Sequence, residues 1–309
     1  MIHNQLLCEY GVVPTHDTVP DLRRLEQFVA AMEEPSLSAA AARLHLSQQA
    51  LSAALKQLER ELGVALFVRS GRRLAPTPAA VSLYDGAPTL LAGARQLALR
   101  ARKASSTTPP PFVVGRSPAV TAREAYILLE PLIAHPDSPS ITVRELFPSA
   151  MVEELQRGTV DLVLRRGAAT PERLAGATLT YHPLRIALHR DHPLAQRESL
   201  TLTDLAGSPI TVWAPQHASS YTDFLAAQCR RAGFDPDLVV NRVQGTPPVT
   251  AVLTQPRAAA FVTDPAGPQF DGQVVVRDLD DAPKVPLQAL WLPHTRNRLR
   301  TVLLEAYPD

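Results

Sequence analysis

Apolar residues recur along the chain with three different periods. From Leu22 to Met32 they fall at helical spacing (Leu22, Leu25, Phe28, Val29, Met32), with Asp21 placed to cap the helix and Pro35 to stop it. A second helix is expected over Ala39–Ala42, for which Ser38 is the candidate cap. His45-Leu46 then make a tight turn. The alanine run carries no bulk, so a third helix can cross it closely and at a sharp angle. That third helix starts after Ser47 and keeps Leu51, Leu55, Leu58 and Leu62 on one stripe. Leu66–Arg69 and Arg73-Leu74 then alternate like two short strands about the turn-favouring pair Ser70-Gly71. The pattern predicts a winged helix-turn-helix over residues 21–77, preceded by an aperiodic extension, 1–20.

Thr77-Pro78 opens a long helix, 78–104, with Thr77 as cap and proline at the first helical position. Leu83, Ala87, Leu90, Ala94, Leu97 and Ala101 follow at spacings of 4, 3, 4, 3 and 4, a heptad seam for a second copy of the chain. Gly86 and Gly93 weaken it, and Pro88 predicts a kink. Residues 105–111, Ser-Ser-Thr-Thr-Pro-Pro-Pro, form a hinge. Beyond it, short apolar runs alternate with helical patterns. Strands fit Phe112–Gly115, Ile141–Phe147, Val160–Leu164, Leu184–His189, Ile210–Trp213, Leu238–Val243, Ala258–Thr263 and Leu287–Leu292. Helices fit Ala122–Ile133, Met151–Leu155, Ser219–Ala232, Val249–Leu253 and Thr295–Ala306. That alternation predicts an α/β fold over 112–309, with parallel strands and helices on both faces.

Composition narrows the function by exclusion. The 309 residues are 45% hydrophobic and 20% charged, as in ordinary globular proteins of about two domains. A formal net charge of +1 does not by itself suggest nucleic acid, although Arg69, Arg72 and Arg73 crowd one short segment. Two cysteines, Cys8 and Cys229, stand at no metal-ligand or redox spacing, which fits a reducing cytoplasm. The amino terminus lacks a signal-peptide pattern, and no apolar run reaches membrane-spanning length, so a cytoplasmic protein with no membrane partner is expected. There is no G-x-S-x-G, no phosphate-cradling glycine run and no metal-ligand spacing; neither an enzyme nor a cofactor or metal is expected. His189 and His192 are better explained by a turn beside Pro193 than as a metal pair.

The outer face of the third helix carries Gln48, Gln49, Ser52 and Lys56 after Ser47, short or amide side chains followed by a cation, which suits reading base edges in a major groove. The wing arginines Arg69, Arg72 and Arg73 suit phosphates or the minor groove. In the α/β half, ligands are expected beyond the carboxyl ends of strands. The loops there carry Arg116-Ser117, Ser149, Pro215-Gln216-His217, Thr246 and Thr263-Asp264, and Arg116 can grip a carboxylate with two hydrogen bonds. Trp213 either lines such a pocket or fills the core.

These residues resemble the LysR-type transcriptional regulators. The resemblance runs through Leu25, Phe28, Ser36, Ala40-Ala41, Leu44, Ser47-Gln48, Ser52, Leu58-Glu59, Leu62-Gly63, Leu66-Phe67, Arg69 and Thr77. It continues in Leu155, Gly158 and Asp161-Leu162, and in Asp191-His192-Pro193-Leu194. It implies a winged helix-turn-helix, a dimerising linker helix and a periplasmic-binding-protein-like (type II) pair of α/β subdomains, I over about 112–183 and 265–309 and II over about 184–264. It also implies that Ser117 and Ser149 hold an effector's polar group, that homodimers assemble into homotetramers, and that RNA polymerase is a partner if the protein activates. The chain departs from the family at Ala80, where glycine is usual, at Pro88, and at Thr254–Ala258, which replaces a glycine-rich stretch. The expected function is sequence-specific binding of double-stranded operator DNA, controlled by a small-molecule effector for which a carboxylate is the candidate. The alternatives are a regulator with a degenerate or empty pocket and, further off, a solute-binding or enzymatic α/β protein.

Overall fold

The computed structural model describes residues 19–70, 73–104, 110–136, 138–243 and 245–308. The chain divides into two units, residues 1–94 and 95–309. In the first, α1 (Leu22–Glu33) is capped by the Asp21 carboxylate, which accepts from the Arg23 and Arg24 N–H groups. The next helix, α2 (Leu37–Arg43), is capped by Ser36 and not by Ser38: the Ser36 hydroxyl accepts from Ala39 N–H. Leu37 packs against the core, and this draws the helix start two residues forward of the expected cap. His45 takes a left-handed backbone (φ 54°) and Leu46 N–H closes back on the Ala41 carbonyl at 2.9 Å, which makes the turn into α3 (Gln48–Leu62). The Ser47 hydroxyl caps α3 by accepting from Ala50 N–H, and left-handed Gly63 ends it.

β1 (Phe67–Ser70) and β2 (Arg73–Pro76) form an antiparallel pair, from Phe67↔Pro76 to Ser70↔Arg73. Leu25, Phe28, Leu51, Leu55, Leu58 and Leu66 make the core of this unit. Each fully buried side chain of this size contributes about 1.5–3 kcal/mol of hydrophobic stabilisation. Ala40 is wholly buried, as a close crossing of α2 by α3 requires. The 27-residue helix α4 (Pro78–Ala104) continues past Pro88. Ala80, Ala87 and Leu91 from its first part join the same core, so the methyl group at Ala80 is accommodated. Of the expected heptad seam, Leu83 and Ala87 therefore belong with the core of their own chain. Leu90 and Leu97 remain 55% and 69% exposed, with Ala94 half-buried and Ala101 exposed.

The second unit holds β3 (Phe112–Arg116), α5 (Ala122–Ile133), β4 (Ile141–Glu145), α6 (Pro148–Arg157), β5 (Leu162–Arg166) and β6 (Ala175–Pro183). It continues with β7 (Arg185–His189), β8 (Ser199–Leu200), β9 (Ile210–Val212), α7 (Ser220–Arg231), β10 (Leu238–Val240), α8 (Ala251–Thr254) and β11 (Ala259–Val262). The last elements are β12 (Gly267–Gln269), β13 (Val274–Leu279), β14 (Lys284–Trp291) and α9 (Arg298–Ala306). One lobe is built on a sheet of order β4-β3-β5-β14-β6. The other is built on β10-β9-β11-β7-β13-β12, with β8 beside β13. Both sheets are mixed and not purely parallel: β4-β3-β5, β10-β9-β11 and β8-β13 run parallel, while β14 pairs antiparallel with β5 and β6, and β7 with β11 and β13. The reason is connectivity, since the chain leaves the first lobe through β6 and returns through β14.

Those two crossings lie side by side, with Lys284 in register with Pro183 and Leu184 N–H donating to the Pro283 carbonyl at 2.9 Å. β12 and β13 belong to the second lobe, so the return falls after Leu279 and not at residue 265 as the sequence suggested. Among the described residues, no helix is long and apolar enough to cross a membrane.

Candidate functional site

Two places in the structure can carry function, one in each unit. In the first, α3 presents Gln48, Gln49 and Lys56 exposed and Ser52 half-exposed, with Leu51, Leu55 and Leu58 turned into the core. Ser47 stands at the same end, its hydroxyl oxygen accepting from Ala50 N–H at 3.1 Å. The Gln48 amide is tethered by the Ser38 hydroxyl on α2 at 3.0 Å. Ser38 thus holds a side chain on the exposed face instead of capping a helix. Further along α3, Ala53, Lys56, Glu59 and Arg60 line an open groove with Gly63, Val64 and Ala65. Arg72 and the side chains of Arg69 and Arg73 lie outside the described residues.

In the second unit a narrow cleft opens between the lobes, with about 50 Å³ of free space. Its apolar walls include Pro118, Met151, Val212, Trp213, Leu225 and Phe261. The first turns of α6 and α7 also line it, through Pro148 and Ser219–Thr222, bringing the partial positive charge of two helix starts. Polar groups in the lining lack partners: Ser117 Oγ, Thr211 Oγ1, Trp213 Nε1 and Arg165 Nε are all buried without a hydrogen bond. Every one of these can donate, and the indole and guanidinium nitrogens can only donate.

Arg165 brings to the cleft a charge that its own hydrogen-bond partners do not answer. Its guanidinium donates to Ser220 Oγ on α7 at 3.0 Å, to Gln288 Oε1 at 3.2 Å and to the Ala169 carbonyl, all neutral acceptors. Burial lowers its pKa, and no acid offsets that effect. A half-buried cation with no acid among its described partners is costly unless an anion joins it. Burial also pushes the Tyr221 phenol up to about 12, so it stays a neutral donor.

Its neighbour Arg166 also lines the cleft, but its charge is met by the Glu124 carboxylate. Its side chain is 1% exposed. Nε donates to the Ala119 carbonyl at 2.9 Å, Nη1 to His182 Nδ1 at 3.2 Å, and Nη2 to Thr263 Oγ1 at 2.6 Å and to Glu124 Oε1. Thr263 donates in turn to Glu124 at 2.8 Å, so this polar knot joins the two lobes. Burial acts to raise the Glu124 carboxyl, but Arg166, the Thr121 N–H and the Thr263 hydroxyl hold it below the usual carboxylate value. Burial, and then Arg166, hold His182 below the usual imidazole value. Asp264 is shifted the other way, raised by burial and by Glu124.

With these two sites in view, residues 22–81 match the model of the bacterial regulatory helix-turn-helix protein, lysR family, and residues 119–307 match that of the LysR substrate binding domain. The chain belongs to the LysR family. Among curated relatives, the HTH-type transcriptional regulator AlsR of Bacillus subtilis (strain 168) is 30% identical over 277 residues, covering 88% of this chain and 89% of AlsR. The DNA-binding transcriptional dual regulator OxyR of Escherichia coli (strain K12) is 30% identical over 221 residues, 70% of each chain. In fold, the chain is similar to CbnR, a LysR family transcriptional regulator, with TM-score 0.54 and 21% identity over 94% of this chain and 100% of that one. The same fold is seen in full-length CbnR complexed with its target DNA, at TM-score 0.54 over 93% and 99%.

The protein is accordingly a DNA-binding transcriptional regulator with an effector-binding domain. Of the effector residues expected from this LysR-family sequence, Ser117 alone lines the cleft. Arg116 is turned away, donating to the Val120 carbonyl at 2.8 Å and paired with Glu145 at 3.0 Å. Ser149 sits in the first turn of α6 beside the cleft-lining Pro148. Pro215, Gln216 and His217 lie between the lining residues Ala214 and Ser219, with His217 N–H held by Asp223 at 2.8 Å. Thr246 accepts from the Thr250 hydroxyl at 2.9 Å. Thr263 belongs to the Arg166 knot, and Asp264 Oδ2 is buried next to it without a partner.

The cleft-lining pair that the sequence analysis passed over is Arg165-Arg166. Its signal was available: two arginines closing a strand whose carboxyl end faces the ligand side. His189 and His192 make turn hydrogen bonds, accepting from Asp191 and Leu194 N–H. Among the described residues, no cluster of three or more acidic, histidine or cysteine side chains could hold a metal ion.

Proposed function

We propose that this regulator reads operator sequence through Ser47, Gln48, Gln49, Ser52 and Lys56 on α3, with Arg69, Arg72 and Arg73 of the wing on phosphates or the minor groove. We further propose that its cleft takes a small organic anion, a carboxylate on an apolar and preferably aromatic body. The observation that carries the second statement is Arg165, a buried guanidinium with only neutral partners in a cleft whose other unpartnered groups are donors. A carboxylate supplies the missing charge and up to four lone-pair sites, and Trp213, Phe261, Met151 and Leu225 offer apolar surface to its body once the lobes part to admit it. The Arg165–Ser220 and Arg166–Thr263 hydrogen bonds each link the lobes, so an anion on Arg165 acts on a joint between them. It changes output to the extent that it binds one arrangement better than another.

Two copies would join along the exposed Leu90, Ala94, Leu97 and Ala101 of α4. A cytoplasmic location, tetramer assembly and contact with RNA polymerase during activation complete the reading.

The test uses benzoate and its uncharged counterpart benzamide. Millimolar benzoate is expected to raise the melting temperature and benzamide to leave it unchanged, because only a ligand that prefers the native state stabilises it. Arg165→Gln removes the benzoate shift, and Arg116→Ala keeps it. An equal shift from benzamide would sink the anion reading. A thiol sensor is the second reading, since OxyR relatives are described as hydrogen peroxide-inducible genes activators. Cys229 argues against it: it is fully buried, and burial pushes its thiol up to about 11, leaving it protonated and unreactive.

A further inference from the structure

The recognition helix and the wing are joined through one carboxylate. Glu59 Oε1, on α3, accepts from Leu66 N–H at 2.7 Å and from Phe67 N–H at 3.0 Å. Phe67 is the first residue of β1. The other strand returns to the same point, where Thr77 N–H donates to the Leu66 carbonyl at 2.9 Å and the Thr77 hydroxyl to the Ala65 carbonyl at 2.8 Å. Both legs of the wing therefore meet at residues 65–67, and those residues hang from Glu59. Phe67 also packs its ring against Phe28 with centroids 5.9 Å apart, but an apolar contact has no direction and permits rotation. Two charge-assisted hydrogen bonds to consecutive amides do fix one.

Position adds a second argument. Glu59 borders the same groove as Lys56 and Arg60, on a surface meant for phosphates, where a free carboxylate would repel. Its Oε1 is turned inward onto the wing instead. We infer that Glu59 is a positioning residue for DNA recognition: it sets the angle of the wing against the base-reading face, so that both engage one duplex in register. This inference rests on the proposal that the wing touches DNA.

The experiment measures binding of the full-length protein to a duplex it has selected from a random pool, and to unselected duplex, across a salt series. Glu59→Leu deletes the acceptor. Glu59→Gln keeps one at Oε1, and Glu59→Asp keeps the charge but shortens the reach. Glu59→Leu is expected to flatten the salt dependence by about 0.9 in slope for each phosphate that the wing no longer neutralises, with the ratio of selected to unselected binding retained because α3 still reads bases. Glu59→Gln should keep the wild-type slope. Should Glu59→Leu not fold, the same contrast is read between Glu59→Asp, flattened, and Glu59→Gln, not flattened.

Equal flattening by Gln and by Leu or Asp would overturn the proposal, as would no flattening in any variant. Arg72→Ala separates the two layers of inference. If it leaves the slope unchanged, the wing reading has failed and the role of Glu59 with it. If it flattens the slope and Glu59→Leu does not, the Glu59 inference alone is overturned.

Discussion

Ser117 Oγ and Thr211 Oγ1 face each other's lobes from positions 5% and 1% exposed, without partners. A buried hydroxyl with no hydrogen bond carries a desolvation cost of about 1–3 kcal/mol that nothing returns until a ligand arrives. Ser117→Ala and Thr211→Val should therefore leave stability to urea unchanged or raise it by up to about 1 kcal/mol, while each weakens carboxylate binding about five- to tenfold. A loss of stability in both would show that the hydroxyls are satisfied in solution. The place of Ser117 in the cleft wall was legible in the sequence because a strand end and a resemblance pointed to the same residue. Arg116 was misjudged because a guanidinium after a strand looks the same whether or not an acid lies beside it, and Glu145 sits on the neighbouring strand. Nor could the sequence say which of Arg165 and Arg166 meets an acid, since Glu124 is 42 residues away from the one that does.

Among the elements, those with strong periods were readable and those with mixed roles were not. α1, α3, α5 and the wing follow from apolar stripes and caps. β6 went unread because Ala175–Pro183 alternates weakly in burial while pairing along nearly all of β14. β13 went unread because its valine run follows a turn taken by Phe270, Asp271 and Gly272 with positive φ, two of them non-glycine. These two strands flank the crossings between lobes, next to the Arg166 knot, where acid should act.

His182 has a folded pKa below its ordinary 6.5, and Glu124 one below 4.5, so the unfolded chain binds more protons than the folded one and stability falls as pH falls. Loss from His182 starts as pH drops below about 6.5, and loss from Glu124 follows below about 4.5. Asp264, raised above 3.8, works in the opposite sense, and Arg166, Arg185 and Arg123 complete the charges around the knot. Melting temperatures measured from pH 7.5 to 4.5 at constant ionic strength should decline from about 6.5; because burial also lowers His192, His182→Gln should shrink that upper onset and His182→Gln with His192→Gln remove it. An undiminished onset in the double variant would place the sensitive group elsewhere.

For the molecule as a whole, the sequence disclosed its division of labour more readily than its assembly. A six-position seam could be counted along the long helix. The packing of Leu83 and Ala87 into their own unit, which leaves Leu90 and Leu97 outside, could not. Leu90→Glu with Leu97→Glu should convert a dimer to a monomer in sedimentation and reduce operator affinity at least tenfold. It should not lower the melting temperature of the isolated monomer, because neither side chain supports its own chain's core. A dimer that survives both substitutions would move the interface off this face.

One consequence of a guanidinium held by neutral partners reaches beyond the cleft. On the proposed anion reading, chloride, phosphate and organic acids all compete for the charge of Arg165. The concentration at which the regulator responds is then set by competition, its threshold rising and falling with the background of common anions.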